Sequence, residues 1–278
     1  SSIKEFNGNS WTGKANGFGV VMDCANADAG AEFEKVIDAS HCTRSDWEGA
    51  VVPFFKTFSG AGLVVGIIGG TGSGKSSLVS LIPHFYDVKD GRVSVFGKNV
   101  CAYDDEDLRH RIGYVQQKAV LFQGTVRSNL LWGDDSASDD DLRTALSTAQ
   151  VLDIVADKGG LDAPVEQNGA NFSGGQKQRL SVARALVRKP QILVLDDSSS
   201  ALDYATEAAM RKAILALPYQ PTLFIVSQRA SSVMCADRIL VLEDGRLVGE
   251  GTHKELLANC PAYSEIYHSQ FSEEVTDA

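Results

Sequence analysis

The segment GLVVGIIGGTGSGKSSLVSLI, residues 62–82, joins a short apolar run, a glycine-rich loop and a second apolar-periodic stretch. Its first seven residues are apolar and partly β-branched, which predicts a buried strand. The loop at 69–76 has the pattern G-x-x-x-x-G-K-S, whose glycines let successive backbone N–H groups point at phosphate oxygens. The helix that follows would add the partial positive charge of its N-terminus. The sequence therefore predicts a phosphate-binding loop between a strand and a helix.

The loop and the first helical turn are the predicted contacts for the phosphates of a nucleotide. Lys75 can reach the β- and γ-phosphates, and the Ser76 hydroxyl is a suitable Mg²⁺ ligand. The agreement of strand, spacing and helix favours this interpretation over a glycine-rich turn that happens to contain Lys-Ser. The predicted ATP-binding set in this segment is Gly69, Gly70, Thr71, Gly72, Ser73, Gly74, Lys75, Ser76 and Ser77.

A second apolar run, ILVL at 192–195, leads directly into two adjacent aspartates, Asp196 and Asp197. An acid at the carboxyl end of a buried strand, in a chain with a phosphate loop, is placed to hold Mg²⁺ directly or through water. A turn of acidic residues after a core strand is the structural alternative. We predict Ser76 and Asp196 as Mg²⁺ ligands.

The segment NFSGGQKQRLSVARAL, residues 171–186, begins a helix with a serine followed by two glycines. Leu180, Ala183 and Val187 give this helix an apolar face. Its N-terminus is a second candidate phosphate-binding end. One chain cannot easily direct two such ends at one nucleotide, whereas two chains arranged head to tail can. The sequence therefore predicts a nucleotide site shared between two chains.

Apolar strand-like runs alternate with helical patterns along much of the chain. Strands are expected within 91–100, 111–116, 192–195, 222–226 and 238–242, and helical spacing covers 74–85, 139–158 and 174–188. Strand–helix alternation is typical of an α/β fold with a mainly parallel sheet and helices on its faces.

The composition is that of an ordinary globular chain. Net charge is −10 over 278 residues, which argues against a nucleic-acid surface. No apolar run reaches the roughly 18 residues of a membrane span, and the N-terminus lacks the apolar core of a signal peptide. The cysteines include no C-x-x-C pair, which predicts reduced thiols in a cytosolic protein instead of a disulfide framework or a zinc site. They are Cys24, Cys42, Cys101, Cys235 and Cys260.

Taken in order, these motifs resemble the nucleotide-binding domain of ABC transporters, most closely the ATPase domains of multidrug-type exporters. The resemblance covers roughly residues 45–270. The motifs that carry it are GGTGSGKSS, YVQQKAVLF, FSGGQKQRLSVARAL, ILVLDDSSSALD and IVSQR. It implies an α/β fold of the P-loop NTPase type with a RecA-like core, an inserted α-helical subdomain and a small N-terminal antiparallel β region.

The resemblance also implies a division of the chain. The ATP-binding core would comprise 46–117 and 185–250, with the helical subdomain at 118–184 between them and C-terminal helices at 251–278. Residues 1–45 fit the family pattern poorly, which leaves the edge sheet abbreviated or the N-terminus diverged.

Further site residues follow from the resemblance alone. Gln117 would contact Mg²⁺ or the attacking water and face a transmembrane domain, and Asp203 would signal between two ATP sites. Trp47 occupies about the position of the aromatic residue that stacks on adenine, although it could equally be a core anchor. The signature residues that would contact the γ-phosphate bound by a partner chain are Ser173, Gly174, Gly175 and Gln176.

Two positions depart from the pattern of hydrolytically active members. Asp197 stands where those members have a glutamate base, and its stem is one methylene shorter. A misplacement of about 1 Å can cost on the order of a hundredfold in rate. Gln228 stands where they have a histidine, and glutamine can donate a hydrogen bond but stays neutral. With Lys75 intact, the sequence predicts a site that binds Mg-ATP and hydrolyses it slowly.

The predicted function is therefore that of an ATP hydrolase that drives export from the cytoplasmic face of a membrane, through a separate or excised transmembrane domain. Its partner would be a second nucleotide-binding domain, either a different chain with a competent site or an identical copy. An ATP-dependent dimerisation switch with negligible turnover, and a soluble ABC ATPase without a transport role, are the alternatives.

Overall fold

The computed structural model describes residues 62–88, 92–198 and 200–271, together with four backbone dipeptides between residues 20 and 59. The strands are β1 Val20–Val21, β2 Cys24–Ala25, β3 Phe54–Phe55, β4 Phe58–Ser59, β5 Val64–Ile68, β6 Ser94–Val95, β7 Lys98–Asn99, β8 Ile112–Val115, β9 Gly124–Thr125, β10 Pro164–Val165, β11 Ile192–Asp196, β12 Thr222–Ser227, β13 Arg238–Glu243 and β14 Arg246–Gly251. Trp47 and most of the predicted N-terminal segment lie outside the described residues.

The α-helices are α1 Lys75–Val79, α2 Asp105–His110, α3 Val126–Leu131, α4 Asp139–Thr148, α5 Leu152–Asp157, α6 Gly174–Val187, α7 Tyr204–Leu215, α8 Ala230–Val233, α9 His253–Asn259 and α10 Pro261–Phe271. Of the described helices, none combines the length and the apolar character needed to cross a lipid bilayer.

Within the described residues, the main sheet has the strand order β14-β13-β5-β12-β11-β8. All neighbours in it are parallel except the β13–β14 hairpin. Side chains alternate between the two faces of a strand. In β5, Val64 and Ile68 accordingly join one core cluster and Val65 and Ile67 join another.

Both faces of the sheet are therefore buried, as expected for parallel strands with helices on each side. One cluster contains the apolar residues of α6 and α7, and the other contains Val79 of α1 and Leu108 of α2. The predicted α/β fold with a mainly parallel sheet is confirmed.

The helices begin at short polar residues in the sequence, because the side chains of these residues accept hydrogen bonds from the first N–H groups of the helix. Ser138, Ser173 and Thr252 each form a reciprocal capping box with the third residue of the helix. Asp203 caps α7 by accepting a hydrogen bond from the Thr206 N–H at 2.9 Å. The elements α3 to α6 form the helical part between β8 and β11.

Three predicted elements differ from the structure. The helix predicted over 74–85 ends at Val79, and Leu81, Ile82 and His84 continue in tight i→i−3 turns. Pro83 explains this, because the residue before a proline is disfavoured in the α region. The helical pattern at 139–158 is two helices, α4 and α5.

The third difference concerns the N-terminal β region, which the sequence predicted to be antiparallel. Its four described strands pair in parallel, β1 with β3 and β2 with β4. Parallel pairing needs a connection of a dozen residues or more, and residues 22–53 separate β1 from β3 along the chain. The small antiparallel pairs lie at β6–β7 and β9–β10 instead.

Gly66, in the middle of β5, tests how tightly α8 packs on the sheet. A Cβ added there would lie 2.8 Å from the Cβ of Val233 and 3.3 Å from that of Ala236. We expect Gly66→Ala to lower the free energy of unfolding by about 1–3 kcal/mol through overpacking. Denaturant unfolding checks this, with Gly70→Ala as the control because its Cβ would meet nothing within 4 Å. Equal stability of the two variants would contradict the close packing of α8.

Candidate functional site

The candidate site lies where three parallel strands end at one edge of the sheet. Ile68 is paired with Ser227, and Val226 with Asp196, so the ends of β5, β12 and β11 are level. The glycine-rich loop follows β5, Gln228 follows β12, and Asp196 ends β11 with Asp197 directly after it. Parallel register thus brings together residues that are up to 159 positions apart in the chain, from Gly69 to Gln228.

The loop at 69–74 owes its shape to its glycines. Gly72 and Gly74 have φ of 80° and 90°, in the left-handed region that favours glycine. At Gly69, an added Cβ would lie 2.0 Å from the Leu242 carbonyl oxygen, so no larger residue fits there. Gly74 is followed directly by Lys75, the first residue of α1.

Lys75 is buried and turned back into its own loop. Its Nζ donates to the carbonyl oxygens of Gly69 and Gly70 at 2.7 and 2.6 Å, and to Ser73 Oγ at 3.2 Å. Burial lowers the pKa of Lys75, and the charges of Asp197 and Asp196 oppose that shift. A cation is thus held beneath the loop, near two carboxylates.

Asp196 is held from both sides. Its Oδ1 accepts a hydrogen bond from Ser76 Oγ at 2.8 Å, and its Oδ2 accepts one from the Tyr114 hydroxyl at 2.9 Å. Burial, and then the charge of Asp196, raise the pKa of Tyr114 far above its usual value, so the phenol stays a donor. The sequence predicted Ser76 and Asp196 but missed Tyr114, which lies inside the strand-like run RIGYVQ.

Asp197 has a different environment. Its Oδ2 accepts a hydrogen bond from Gln117 Nε2 at 2.9 Å, and its backbone has a φ of 46°. Burial and the neighbouring Asp196 raise the pKa of Asp197, while Lys75, Gln228 and Gln117 act in the opposite direction. The net shift is upward, so this carboxylate is a stronger base than an exposed aspartate.

Gln228 faces the loop and is fixed through its backbone. Its Oε1 accepts a hydrogen bond from Thr71 Oγ1 at 3.1 Å. Gln270 of α10 donates from Nε2 to the Gln228 carbonyl, and its Oε1 accepts from the Ala230 N–H, both at 2.8 Å. Sequence reasoning missed Gln270, because a glutamine near the end of a C-terminal helix carries no motif.

The predicted signature residues form a second cluster around the N-terminus of α6. Ser173 Oγ accepts from the Gln176 N–H at 3.3 Å, and the Gln176 side chain accepts from the Ser173 N–H at 3.0 Å. Gly174 and Gly175 face the segment before α7, and a Cβ on Gly175 would lie 2.9 Å from the Ala201 carbonyl oxygen.

The same segment is also tied to the chain next to Gln228. The Arg229 guanidinium donates to the carbonyl oxygens of Ser200 at 2.9 Å and of Leu202 at 3.3 Å. Asp203 then begins α7. The structure therefore links Lys75, Ser76, Gln117, Asp196, Asp197 and Gln228 in one cluster, and groups Ser173, Gly174, Gly175 and Gln176 with the segment before Asp203.

An aromatic groove of about 300 Å³ opens beside the site. The Phe122 and Trp132 rings stack in it at 5.0 Å between centroids, and the Phe85 ring meets the edge of Tyr114 at 5.2 Å. Tyr114 therefore touches both the groove and Asp196. Arg184 and Arg188 also line the groove, and burial lowers the pKa of each guanidinium.

Comparison with known proteins gives consistent matches. A family model described as ABC transporter matches residues 59–200. The chain is 46% identical over 215 residues to the ABC transporter ATP-binding protein YfiB of Bacillus subtilis, covering 77% of this chain and 37% of that protein. It is 41% identical over 210 residues to a Staphylococcus aureus protein provisionally named a multidrug export ATP-binding/permease protein, covering 75% and 36% of the two chains.

Among solved structures, a bacterial Atm1-family ABC exporter with ATP bound superposes with a TM-score of 0.72 at 36% identity. The match covers 75% of this chain and 37% of the exporter chain. The chain therefore spans little more than a third of the length of these relatives.

The raised pKa of Asp197 predicts a pH-dependent gain in stability when its charge is removed. A folded-state pKa above the unfolded value means that this group stabilises the fold at low pH, and that its contribution is lost as pH rises through the folded pKa. We therefore expect nucleotide-free Asp197→Asn to have a higher Tm than wild type at pH 7. The difference should shrink as pH falls through the raised pKa.

Asp203 is the matched control with the opposite sign. The backbone N–H of Thr206 lowers the pKa of Asp203, so its contribution is present above the unfolded pKa and is lost as pH falls through the folded pKa. Asp203→Asn should therefore lower the Tm at pH 7. Thermal melts of the three proteins across pH check both signs, and a lower Tm for Asp197→Asn at pH 7 would be inconsistent with the buried charge.

Proposed function

We propose that this chain, which belongs to the ABC transporter family, binds Mg-ATP on the loop at 69–77 as half of a head-to-tail dimer. It is the ATP-hydrolysing domain of an exporter-type system. The observation that carries the proposal is the linked cluster at the sheet edge. There a buried lysine, a metal-type hydroxyl–carboxylate pair and a second carboxylate surround one glycine-rich loop.

ATP would bind with its phosphates against the N–H groups of the loop and the start of α1. Lys75 now donates to the carbonyl oxygens of Gly69 and Gly70. Phosphate oxygens would replace those neutral acceptors with negatively charged, stronger ones. The remaining contacts of the predicted set are Thr71, Gly72, Ser73, Gly74, Ser76 and Ser77, and Trp47 stays a prediction for adenine stacking.

The oxygen donors fit Mg²⁺. Ser76 Oγ and Asp196 Oδ1 lie 2.8 Å apart, and Gln117 approaches from the Asp197 side. Hydroxyl and carboxylate oxygens are the ligands that Mg²⁺ takes from protein, with phosphates and water completing the octahedron. When bound, Mg²⁺ would neutralise charge on the β- and γ-phosphate oxygens. Tyr114 would keep Asp196 oriented for this role.

Hydrolysis at this loop would be slow. Asp197 is the predicted general base, but its stem is short and Gln117 donates a hydrogen bond to one of its oxygens. Gln228 would contact the γ-phosphate as a neutral donor. A general base needs a heavy-atom distance of about 2.6–3.2 Å to the proton it takes. A short carboxylate with a neutral partner therefore favours tight binding and slow turnover.

The signature residues Ser173, Gly174, Gly175 and Gln176 would act on the γ-phosphate of the partner chain's ATP. Ser173 and Gly174 are exposed at the N-terminus of the 14-residue helix α6. The carbonyl oxygens that hold Arg229 connect this end to the Gln228 segment, and Asp203 caps the next helix. A nucleotide held in trans would thus be sensed at both sites.

The aromatic groove would receive a segment of the transmembrane domain. Arg184 Nη1 and Arg188 Nε are buried without a hydrogen-bond partner among the described residues. A partner segment with apolar side chains would pack against the aromatic rings. An acidic or carbonyl acceptor on the same segment would accept hydrogen bonds from the guanidinium groups. In this proposal the chain would lie on the cytoplasmic face of a membrane, attached through that domain, and no nucleic-acid partner is expected.

We propose the same domain division that the sequence predicted. The core would be 46–117 with 185–250, the helical subdomain 118–184 and the C-terminal helices 251–278.

The second candidate function is an ATP-dependent dimerisation switch with negligible turnover, which the pair Asp197 and Gln228 favours. A soluble ABC ATPase without a transport role has less support, because the groove presents exposed aromatic rings.

ATP binding depends on Lys75 in this proposal. A hydrogen bond to a charged group contributes about 1.5–3 kcal/mol, so Lys75→Ala should weaken ATP binding roughly tenfold or more. Lys254→Ala, at an exposed position in α9, is the control. Asp196→Asn should remove most of the gain in ATP affinity that Mg²⁺ gives over EDTA. Calorimetric titration measures all four proteins, and unchanged affinity of Lys75→Ala would refute the phosphate loop.

Asp197 and Gln228 can be replaced together by the residues found in hydrolytically active members of the family. Asp197→Glu with Gln228→His should raise single-turnover ATP hydrolysis at this loop by at least tenfold, equivalent to about 1.4 kcal/mol of barrier. The glutamate restores reach to the water, and the histidine restores a donor that can carry charge. The measurement uses the assembled dimer with the partner's own base disabled, and each single variant serves as a control.

If the double variant hydrolyses ATP as slowly as wild type, the slow turnover is not caused by these two residues. Wild-type turnover of several per second would show that Asp197 is a competent base.

A further inference from the structure

His84, Asp87 and Cys101 bring three metal-type ligand atoms together away from the ATP site. His84 Nε2 lies 2.8 Å from Asp87 Oδ1 and 3.8 Å from Cys101 Sγ, and all three atoms lie within 4.8 Å of one another. His84 and Asp87 belong to the turn after α1, and Cys101 belongs to the short 3₁₀ turn at 100–102. Two separate segments of chain thus converge on one point.

The other nitrogen of the His84 ring faces a fourth group. His84 Nδ1 lies 3.3 Å from Asp105 Oδ1, at the start of α2. Metal-ligating histidines typically donate their second N–H to a carboxylate in this way, which fixes the ring and its tautomer. If Nδ1–H donates to Asp105, the lone pair of Nε2 faces a carboxylate and a sulfur. Three electron-rich atoms then lie within 4.8 Å of one another, an arrangement that a cation, either a proton or a metal ion, would stabilise.

The spacing of nitrogen and sulfur suits a tetrahedral ion, whereas His84 Nε2 and Asp87 Oδ1, now 2.8 Å apart, would separate by about 0.5 Å on binding it. With bonds of about 2.0 Å to nitrogen and about 2.3 Å to sulfur, tetrahedral Zn²⁺ separates N and S by about 3.5 Å. The distance from His84 Nε2 to Cys101 Sγ is 3.8 Å. The nitrogen, sulfur and oxygen donors favour zinc and similar ions over Mg²⁺ and Ca²⁺, which prefer oxygen. Three protein ligands leave the fourth position for water.

The backbone around the cluster is held independently of any ion. His84 has a φ of 54°, its N–H donates to the Leu81 carbonyl at 3.2 Å, and its own carbonyl accepts from Arg109 Nη2 at 3.2 Å. The Cys101 N–H donates to Asn99 Oδ1 at 3.0 Å. Arg109 also forms an ion pair with Asp105 at 2.9 Å, which limits the negative charge around the ring.

We propose that His84, Asp87 and Cys101 bind one zinc-type divalent ion, with Asp105 orienting the histidine. The absence of a C-x-x-C pair argued against a zinc site of the usual cysteine spacing, and the site proposed here takes its ligands from separate segments instead. The Asp87 side chain is 83% exposed and that of His84 is 18% exposed, so the ion would exchange with solvent. Once bound, it would fasten the turn that carries Phe85, one wall of the aromatic groove, to the segment before α2.

Cobalt titration of the reduced, nucleotide-free chain tests the site directly, because a Cys-bound Co²⁺ has a thiolate charge-transfer band. We expect one Co²⁺ per chain with that band, displaced by Zn²⁺. Cys101→Ser should abolish the band, and His84→Gln should weaken Co²⁺ binding by at least tenfold. Asp105→Asn should weaken it by about 10- to 100-fold, the usual cost of removing an orienting carboxylate. Cys235→Ser, at another exposed cysteine, is the control and should leave the band unchanged.

Two outcomes would overturn the proposal. A band that survives Cys101→Ser, or is lost in Cys235→Ser, would assign the ion to another thiol. No saturable Co²⁺ or Zn²⁺ binding by the wild-type chain would show that His84 only forms hydrogen bonds with Asp87 and Asp105. Circular dichroism of each variant confirms that the fold is retained.

Discussion

The site depends on the parallel register of β5, β12 and β11. Parallel strands end at the same edge of a sheet, and here that edge collects the glycine-rich loop, Asp196 with Asp197, and Gln228. The hydrogen bond from Ser76 to Asp196 then joins α1 to the end of β11. A slip of one residue in β11 would turn its buried side chains to the opposite face and carry both aspartates away from Lys75.

The two adjacent aspartates illustrate how neighbouring carboxylates acquire separate roles. Asp196 is fixed by hydroxyl donors from Ser76 and Tyr114, which suits a metal ligand. Asp197 is partly desolvated, has a raised pKa and meets an amide donor, which suits a base of limited reach. Gln270 meanwhile ties the C-terminal helix to the backbone of Gln228, so the position of that side chain depends on an element far along the sequence.

Much of this arrangement follows from sequence because local chemistry decides it. The strand–loop–helix at 62–82, the cap at Ser173 and the acids after β11 are all encoded by neighbouring residues. The extent of α1 was wrong because Pro83 favours tight turns over a continuing helix. Tyr114, Gln270 and the His84–Asp87–Cys101 cluster were missed because each becomes significant only through contacts with residues at least three positions away, mostly much farther, and no motif marks them.

We propose that each ATP lies between the loop of one chain and the signature of another. Two chains fused in tandem test it, with Lys75→Ala and Gly174→Arg placed on opposite halves or on the same half, and retention of Mg-ATP after gel filtration as the readout. A wild-type tandem gives the reference. We expect ATP to be retained when the changes are on opposite halves, because one composite site stays intact, and to be lost when they share a half. Retention with both changes on the same half, and loss when they are divided, would contradict it.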